Sequence, residues 1–198
     1  MSEGEGDNAA PEEPKNILQQ QMIAENLSQI DTTSNGDTYA FTTLILEEKE
    51  LELLGDAIKS YVHLRNINLS KNQLKSINEI SELKDLLIFK ATENLINDIS
   101  FLTQDVNPNL QVLVLDKNKI KSLPAITPAI LRQLNLNENE ITTCADFTGH
   151  QKLQVLEMRK NQIRNCDGLG NLPSLTDLYM GENPLVSISQ LHTMSSLK

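Results

Sequence analysis

The 198-residue sequence has no apolar run of about 18 residues, the length a membrane-crossing helix needs. It has no basic start followed by an apolar core, because "MSEGEGDNAAPEEP" is acidic and polar, unlike a secretory leader. Cysteine is nearly missing. Cys144 and Cys166 alone build no disulfide framework, so we read both as reduced thiols in a cytosolic compartment. In that setting the sequons at Asn26 and Asn68 carry no meaning.

Positive charge is also short: 17 Lys and Arg stand against 27 Asp and Glu, a net of −10. The deficit is concentrated in Met1 to Thr38, where eight acids face Lys15 alone; the remainder holds 19 acids and 16 bases. We therefore expect neither a nucleic acid nor an anionic membrane surface as a partner. Chemical motifs are lacking too. There is no Gly-rich phosphate loop, nucleophile elbow or zinc motif. His63, His150 and His192 stand in unrelated positions, none at metal spacing from the cysteines. We expect no enzyme, cofactor, metal or small-molecule substrate.

What is present is a period. Asn72, Asn94, Asn118, Asn139, Asn161 and Asn183 follow one another at intervals of 22, 24, 21, 22 and 22 residues. Around each, apolar residues stand eight, five and three positions before, and two, five and eight after. For Asn139 these are Leu131, Leu134, Leu136, Ile141, Cys144 and Phe147. All thirty-six such positions are apolar in a chain that is 39% hydrophobic, which excludes chance. The pattern is the leucine-rich-repeat signature, L-x-x-L-x-L-x-x-N-x-L. Leu44, Leu46, Leu51 and Leu54 form an earlier, degenerate unit with Lys49 in the asparagine slot.

The alternation within L-x-L has period two and predicts a short strand with its leucines inward. Each coil buries one side only and needs neighbours, so the coils stack into a solenoid with a parallel sheet along its concave wall. Past the strand the chain turns sharply, burying backbone N–H and C=O groups. An asparagine amide is both donor and acceptor and can brace those groups in its own coil and the next. The outer wall has room only for 3₁₀ turns and irregular backbone, and "NPN" at 107–109 suggests a loop bulge.

We expect residues 1–14 to be a disordered acidic tail and 15–198 to be one repeat domain. Its N-terminal cap spans 15–60: an amphipathic helix over Lys15–Ile30 and a strand around Phe41–Leu46. The full repeats occupy 64–198. Leu197 lies 22 residues beyond Leu175, so "MSSLK" reads as the opening of a further repeat and the C-terminal end as uncapped. We expect the chain to continue there, or another surface to cover Ile188, Leu191 and Leu197.

The repeats resemble the short, 22-residue class found in the protein phosphatase 1 regulatory subunit, an axonemal dynein light chain and a spliceosomal subunit. At the N-terminal flank, "LILEEKELELLGDAIKSYVHLRNINLSKNQL" (44–74) and "LLIFKATENLI" (86–96) resemble the leucine-rich repeat-containing protein 23 family, radial-spoke proteins of motile cilia and flagella. That resemblance implies a cytoplasmic, axonemal, non-enzymatic scaffold whose partners are radial-spoke or other axonemal subunits. The wider class leaves two other readings: a phosphatase regulatory subunit, or a ribonucleoprotein subunit whose RNA affinity comes from a partner.

With no chemistry in view, the outward wall of the sheet is the candidate site, since parallel sheets normally have both faces covered. Ile88, Val112, Val114 and Val155 face outward there, with Glu157, Arg159, Asp177 and Tyr179 further along. We take these as the partner-binding set, Tyr179 as its anchor. The bland reading is that Val and Ile merely favour extended backbone.

Overall fold

The computed structural model describes residues 16–103 and 105–198, the Thr193 side chain excepted. The acidic tail at 1–14 lies outside the described residues. One eight-stranded sheet runs the length of the molecule in strict sequence order. Strands β1 (Leu27–Thr32) and β2 (Tyr39–Ile45) form an antiparallel hairpin. Six strands of three residues each then add in parallel: β3 (Asn66–Asn68), β4 (Ile88–Lys90), β5 (Val112–Val114), β6 (Gln133–Asn135), β7 (Val155–Glu157) and β8 (Asp177–Tyr179).

The central residue of each short strand points inward and its neighbours outward, as the pleat requires. Leu44, Ile67, Phe89, Leu113, Leu134 and Leu156 stack in one register as a buried row. Every apolar slot of the first five repeats is buried. In the sixth, Leu175 and Met180 are buried, Leu178, Leu185 and Leu191 only partly, and Ile188 is 59% exposed. Leu197 also packs partly against the core. Away from the sheet the backbone is irregular, with 3₁₀ turns at Asp56–Ser60, Asn78–Glu82 and Leu191–Thr193.

The asparagines form a continuous ladder. Asn139 Oδ1 accepts the N–H of Ile120 at 3.1 Å, and its Nδ2 donates to the carbonyls of Leu115 and Leu136 at 3.0 and 3.1 Å. Asn94, Asn118, Asn161 and Asn183 repeat this set one coil apart. Asn72, at the head, accepts from both Lys49 and Leu51 and donates to Leu46 and Leu69. The amides therefore join each coil to the one before it, where sequence reasoning had them reach to the next. The residue ahead of each asparagine is left-handed, and this turns the amide back toward the coil already laid down.

Those left-handed residues carry a second pattern. They are Lys71, Glu93, Lys117, Glu138, Lys160 and Glu182, preceded by Glu48 ahead of Lys49; the seven alternate in sign, with φ between 53° and 59°. A non-glycine residue there is strained, and stacking places each beside the opposite charge of its neighbour. Lys71 pairs with Glu48 at 2.5 Å, Lys117 with Glu93 at 2.9 Å and Lys160 with Glu138 at 3.8 Å. The hydrogen bond from Lys117 holds the Glu93 carboxyl below its ordinary value.

Two expectations need correction. The N-terminal helix spans Gln20–Asn26 among the described residues, and Leu27–Thr32 is strand. Ile30, expected on the helix's apolar face, pairs with Phe41 across the hairpin and is 63% exposed. The cross-strand hydrogen bonds available from β2 outweigh a helical periodicity of only four turns' reach, and the Asn35-Gly36 turn, with Gly36 at φ 79°, closes the hairpin. The "NPN" segment is not a free bulge either. Asn107 is fully buried, and its Nδ2 donates to the carbonyls of Ile80 and Leu83 at 2.7 and 3.0 Å, bracing the outer wall as the ladder braces the inner.

Candidate protein interface

The sheet's outward face carries three rows. The first runs Thr43, Asn66, Ile88, Val112, Gln133, Val155, Asp177, and the second Ile45, Asn68, Lys90, Val114, Asn135, Glu157, Tyr179. Glu47, Ser70, Thr92, Asp116, Asn137, Arg159 and Gly181 follow just beyond the strands.

The structure divides the partner-binding set in two. Ile88, Val112 and Val114 are half-buried neighbours on β4 and β5. Gln133 and Asn135 on β6 separate them from Val155 on β7 and Tyr179 on β8. That second half is a hydrogen-bonded strip. Gln133 Nε2 donates to Asn135 Oδ1 at 3.1 Å, and Asn135 Nδ2 to Glu157 Oε1 at 3.2 Å. Asn137 Nδ2 takes the other Glu157 oxygen at 2.9 Å, while the Arg159 N–H donates to Asn137 Oδ1 at 2.8 Å. Glu157 is thus held by two amides rather than by a cation. The Arg159 guanidinium lies over the Tyr179 ring, 4.5 Å from its centroid, an attractive cation–π contact. Asp177 accepts the Thr176 hydroxyl at 2.8 Å. Burial pushes the Asp116 carboxyl above its ordinary value; the Asn137 N–H, at 2.7 Å, opposes that rise and the nearby Glu157 adds to it. The strip is preorganised and acidic, suited to receiving hydrogen-bond donors.

Of the most exposed apolar side chains of this face, the sequence reading placed Ile45 on the outward wall and missed Ile30, Tyr39 and Phe41. They belong to the hairpin. Tyr39, Phe41, Thr43 and Ile45 alternate onto the outward side of β2, and Ile30 stands opposite Phe41 on β1. Tyr39 is 76% exposed, against 37% for Tyr179. The signals were legible: "YAFTTLI" has period two and "NG" precedes it. A shallow depression adjoins, lined by Ile45, Asn66, Asn68, Ile88 and Lys90.

Elsewhere the reactive residue types serve structure. Cys144 and Cys166 are free and buried, and burial pushes the Cys144 thiol up to about 12, which leaves it un-ionised and inert. His150 is buried; its Nδ1 accepts the Lys152 N–H at 3.2 Å, so Nε2 carries the proton and donates to the Pro128 carbonyl at 2.8 Å. Among the described residues no cluster of His, Cys, Asp or Glu is placed to hold a metal ion, and no helix is long and apolar enough to cross a membrane.

Comparison with known proteins agrees with the architecture. A leucine-rich-repeat family model matches residues 108–163, and a two-copy leucine-rich-repeat model matches 151–191. The chain is a leucine-rich-repeat protein. Among its leucine-rich-repeat relatives, human leucine-rich repeat-containing protein 23 is 31% identical over 195 residues, covering 87% of this chain and 56% of that protein. The Bos taurus protein of the same name is 30% identical with the same coverage. A protein phosphatase 1 regulatory inhibitor subunit homologue from Arabidopsis thaliana is 26% identical over 173 residues, covering 86% of this chain and 46% of that one. The chain thus spans about half the length of the curated relatives it matches. A solved leucine-rich-repeat structure from Leptospira interrogans superposes with a TM-score of 0.73 at 27% identity, over 80% of this chain and 42% of that one.

Proposed function

We propose that the protein is a non-enzymatic interaction scaffold and a structural component of axonemal radial spokes in motile cilia or flagella, cytoplasmic and bound to the axoneme. The similarity to leucine-rich repeat-containing protein 23, over 87% of the chain, carries this reading. The physical support is the bare wall: among the described residues nothing lies over the outward face of β3–β8, and a parallel sheet with one uncovered face is a docking platform. On that wall Ile88, Val112 and Val114 form an apolar contact, and Val155, Glu157, Arg159, Asp177 and Tyr179 a polar and aromatic one. Radial-spoke or other axonemal subunits are the partners.

Imaging the tagged protein in a ciliated cell tests the assignment. Retention on detergent-extracted axonemes supports it; a diffuse cell-body signal absent from axonemes refutes it. Val114→Asp or Tyr179→Ala should weaken capture of axonemal proteins while leaving the melting temperature near wild type. Unchanged capture by both removes the wall as the interface. The second reading, a phosphatase regulatory subunit using the same wall, is favoured by the similarity to the Arabidopsis relative. It predicts that the purified chain alters the activity of a protein phosphatase 1 catalytic subunit.

A further inference from the structure

We propose that the outward face of the β1–β2 hairpin is a second docking surface, for a partner segment that places apolar side chains next to lysine or arginine. The proposal is independent of the axonemal assignment and uses residues outside the β4–β8 wall.

The apolar half of the argument is exposure. Ile30, Tyr39, Phe41 and Ile45 are 63%, 76%, 46% and 50% exposed, and the register puts all four on one side of a two-stranded ribbon. Ile30 and Phe41 are direct cross-strand partners, so their side chains stand together. An edge of this kind is usually blunted by lysine or proline. Here neither occurs in either strand. The patch also continues through Ile45 to Asn68 on β3, short of the β4–β8 wall.

The polar half is charge. No lysine or arginine occurs between Lys15 and Lys49, a stretch that contains Glu25, Asp31, Asp37, Glu47 and Glu48. Arg65 reaches back to Asp31 and Lys71 to Glu48. Glu25, Asp37 and Glu47 take their hydrogen bonds from the amides of Gln21, Asn35 and Asn68 rather than from a cation. An apolar patch in a negative field selects a basic, apolar segment and disfavours acidic ones.

The same facts disfavour two other occupants. The segment before the hairpin is itself acidic, Glu3, Glu5, Asp7, Glu12 and Glu13 against Lys15, and meets like charge there. A second copy brings an identical acidic hairpin. It also cannot zip along the β1 edge, because Gln29 in mid-strand has φ 54° and breaks the extended backbone.

The test is fluorescence anisotropy on the full chain with a labelled synthetic peptide of alternating leucine and lysine, and its leucine–glutamate counterpart. The lysine peptide should bind and the glutamate peptide should not. Ile30→Ser with Phe41→Ser should weaken binding at least about tenfold, the loss expected when the apolar contact of two side chains is removed. Asp37→Asn with Glu47→Gln should weaken it and flatten its salt dependence. Val114→Asp should leave it unchanged. All the hairpin substitutions are at exposed positions, and circular dichroism confirms folding. Equal binding of both peptides, or binding indifferent to the hairpin variants, overturns the proposal. So does a concentration-dependent dimer lost in Phe41→Ser, or binding that emerges only once residues 1–15 are removed.

Discussion

Replacing Asn139 by alanine removes four hydrogen bonds, yet the ladder limits the damage. The carbonyls of Leu115 and Leu136 each keep a second asparagine, Asn118 at 3.0 Å and Asn161 at 2.9 Å. The Asn137 carbonyl keeps the Lys117 N–H at 2.8 Å. Only the buried Ile120 N–H loses its partner. One orphaned buried donor costs about 1–3 kcal/mol. Asn72→Ala is different because Lys49 stands where an earlier asparagine would be. It orphans the N–H groups of Lys49 and Leu51, and the Leu46 carbonyl has no second asparagine to fall back on. The Leu69 carbonyl keeps Asn94. With two fully buried groups stranded rather than one, the loss should be about 2–6 kcal/mol. Urea denaturation of the purified variants measures both, as midpoint shifts at constant slope. A near-zero shift for Asn139→Ala removes the bracing role. Shifts of equal size for the two variants refute the shared-acceptor account of the ladder.

Four further outcomes follow from the geometry. Lys117→Glu puts a third carboxylate between Glu93 and Glu138; its urea midpoint should fall, and the deficit should shrink with added salt because these side chains are exposed. The Glu93 carboxyl is depressed by Lys117, so that pair's stabilisation is present above the ordinary carboxylate value and lost as pH falls through the lower folded one; the wild type should lose its advantage over Lys117→Met in acid. Asp116 has the opposite sign. Its pKa is raised by burial, so ionisation opposes folding above the folded value, and Asp116→Asn should stabilise at neutral pH with the gain fading as pH falls toward 3.8 in a pH series of melts. Gly168 sits at φ 89°, and a Cβ there meets the Cys144 carbonyl oxygen at 1.9 Å. Gly168→Ala should therefore cost about 2–4 kcal/mol by thermal melt, and an unchanged midpoint contradicts the close approach.

The charge ladder was written in the sequence and escaped notice there. The residue before each asparagine reads Lys71, Glu93, Lys117, Glu138, Lys160, Glu182, but alternation at a 22-residue spacing has no meaning until stacking makes neighbours of those positions. The candidate wall shows the same limit. Sequence placed Val114, Asn135 and Tyr179 in that order along one face, whereas only the structure showed the hydrogen bonds of the Gln133–Asn135 strip and the guanidinium over the ring. The hairpin escaped because Ile23, Leu27 and Ile30 are spaced as well for a helix as for helix followed by strand.

The repeat, its buried slots, the inward row from Leu44 to Leu178 and the position of the six asparagines were determined by sequence alone. Each is a local choice made six times over, and repetition turns a weak preference into a fold. Tertiary structure decided which way the amides reach, where the helix yields to β1, how the outward wall divides, and which charges meet. Those depend on what each coil lies against, and a chain's neighbours across a stack are some 22 residues away and visible only once the stack is built.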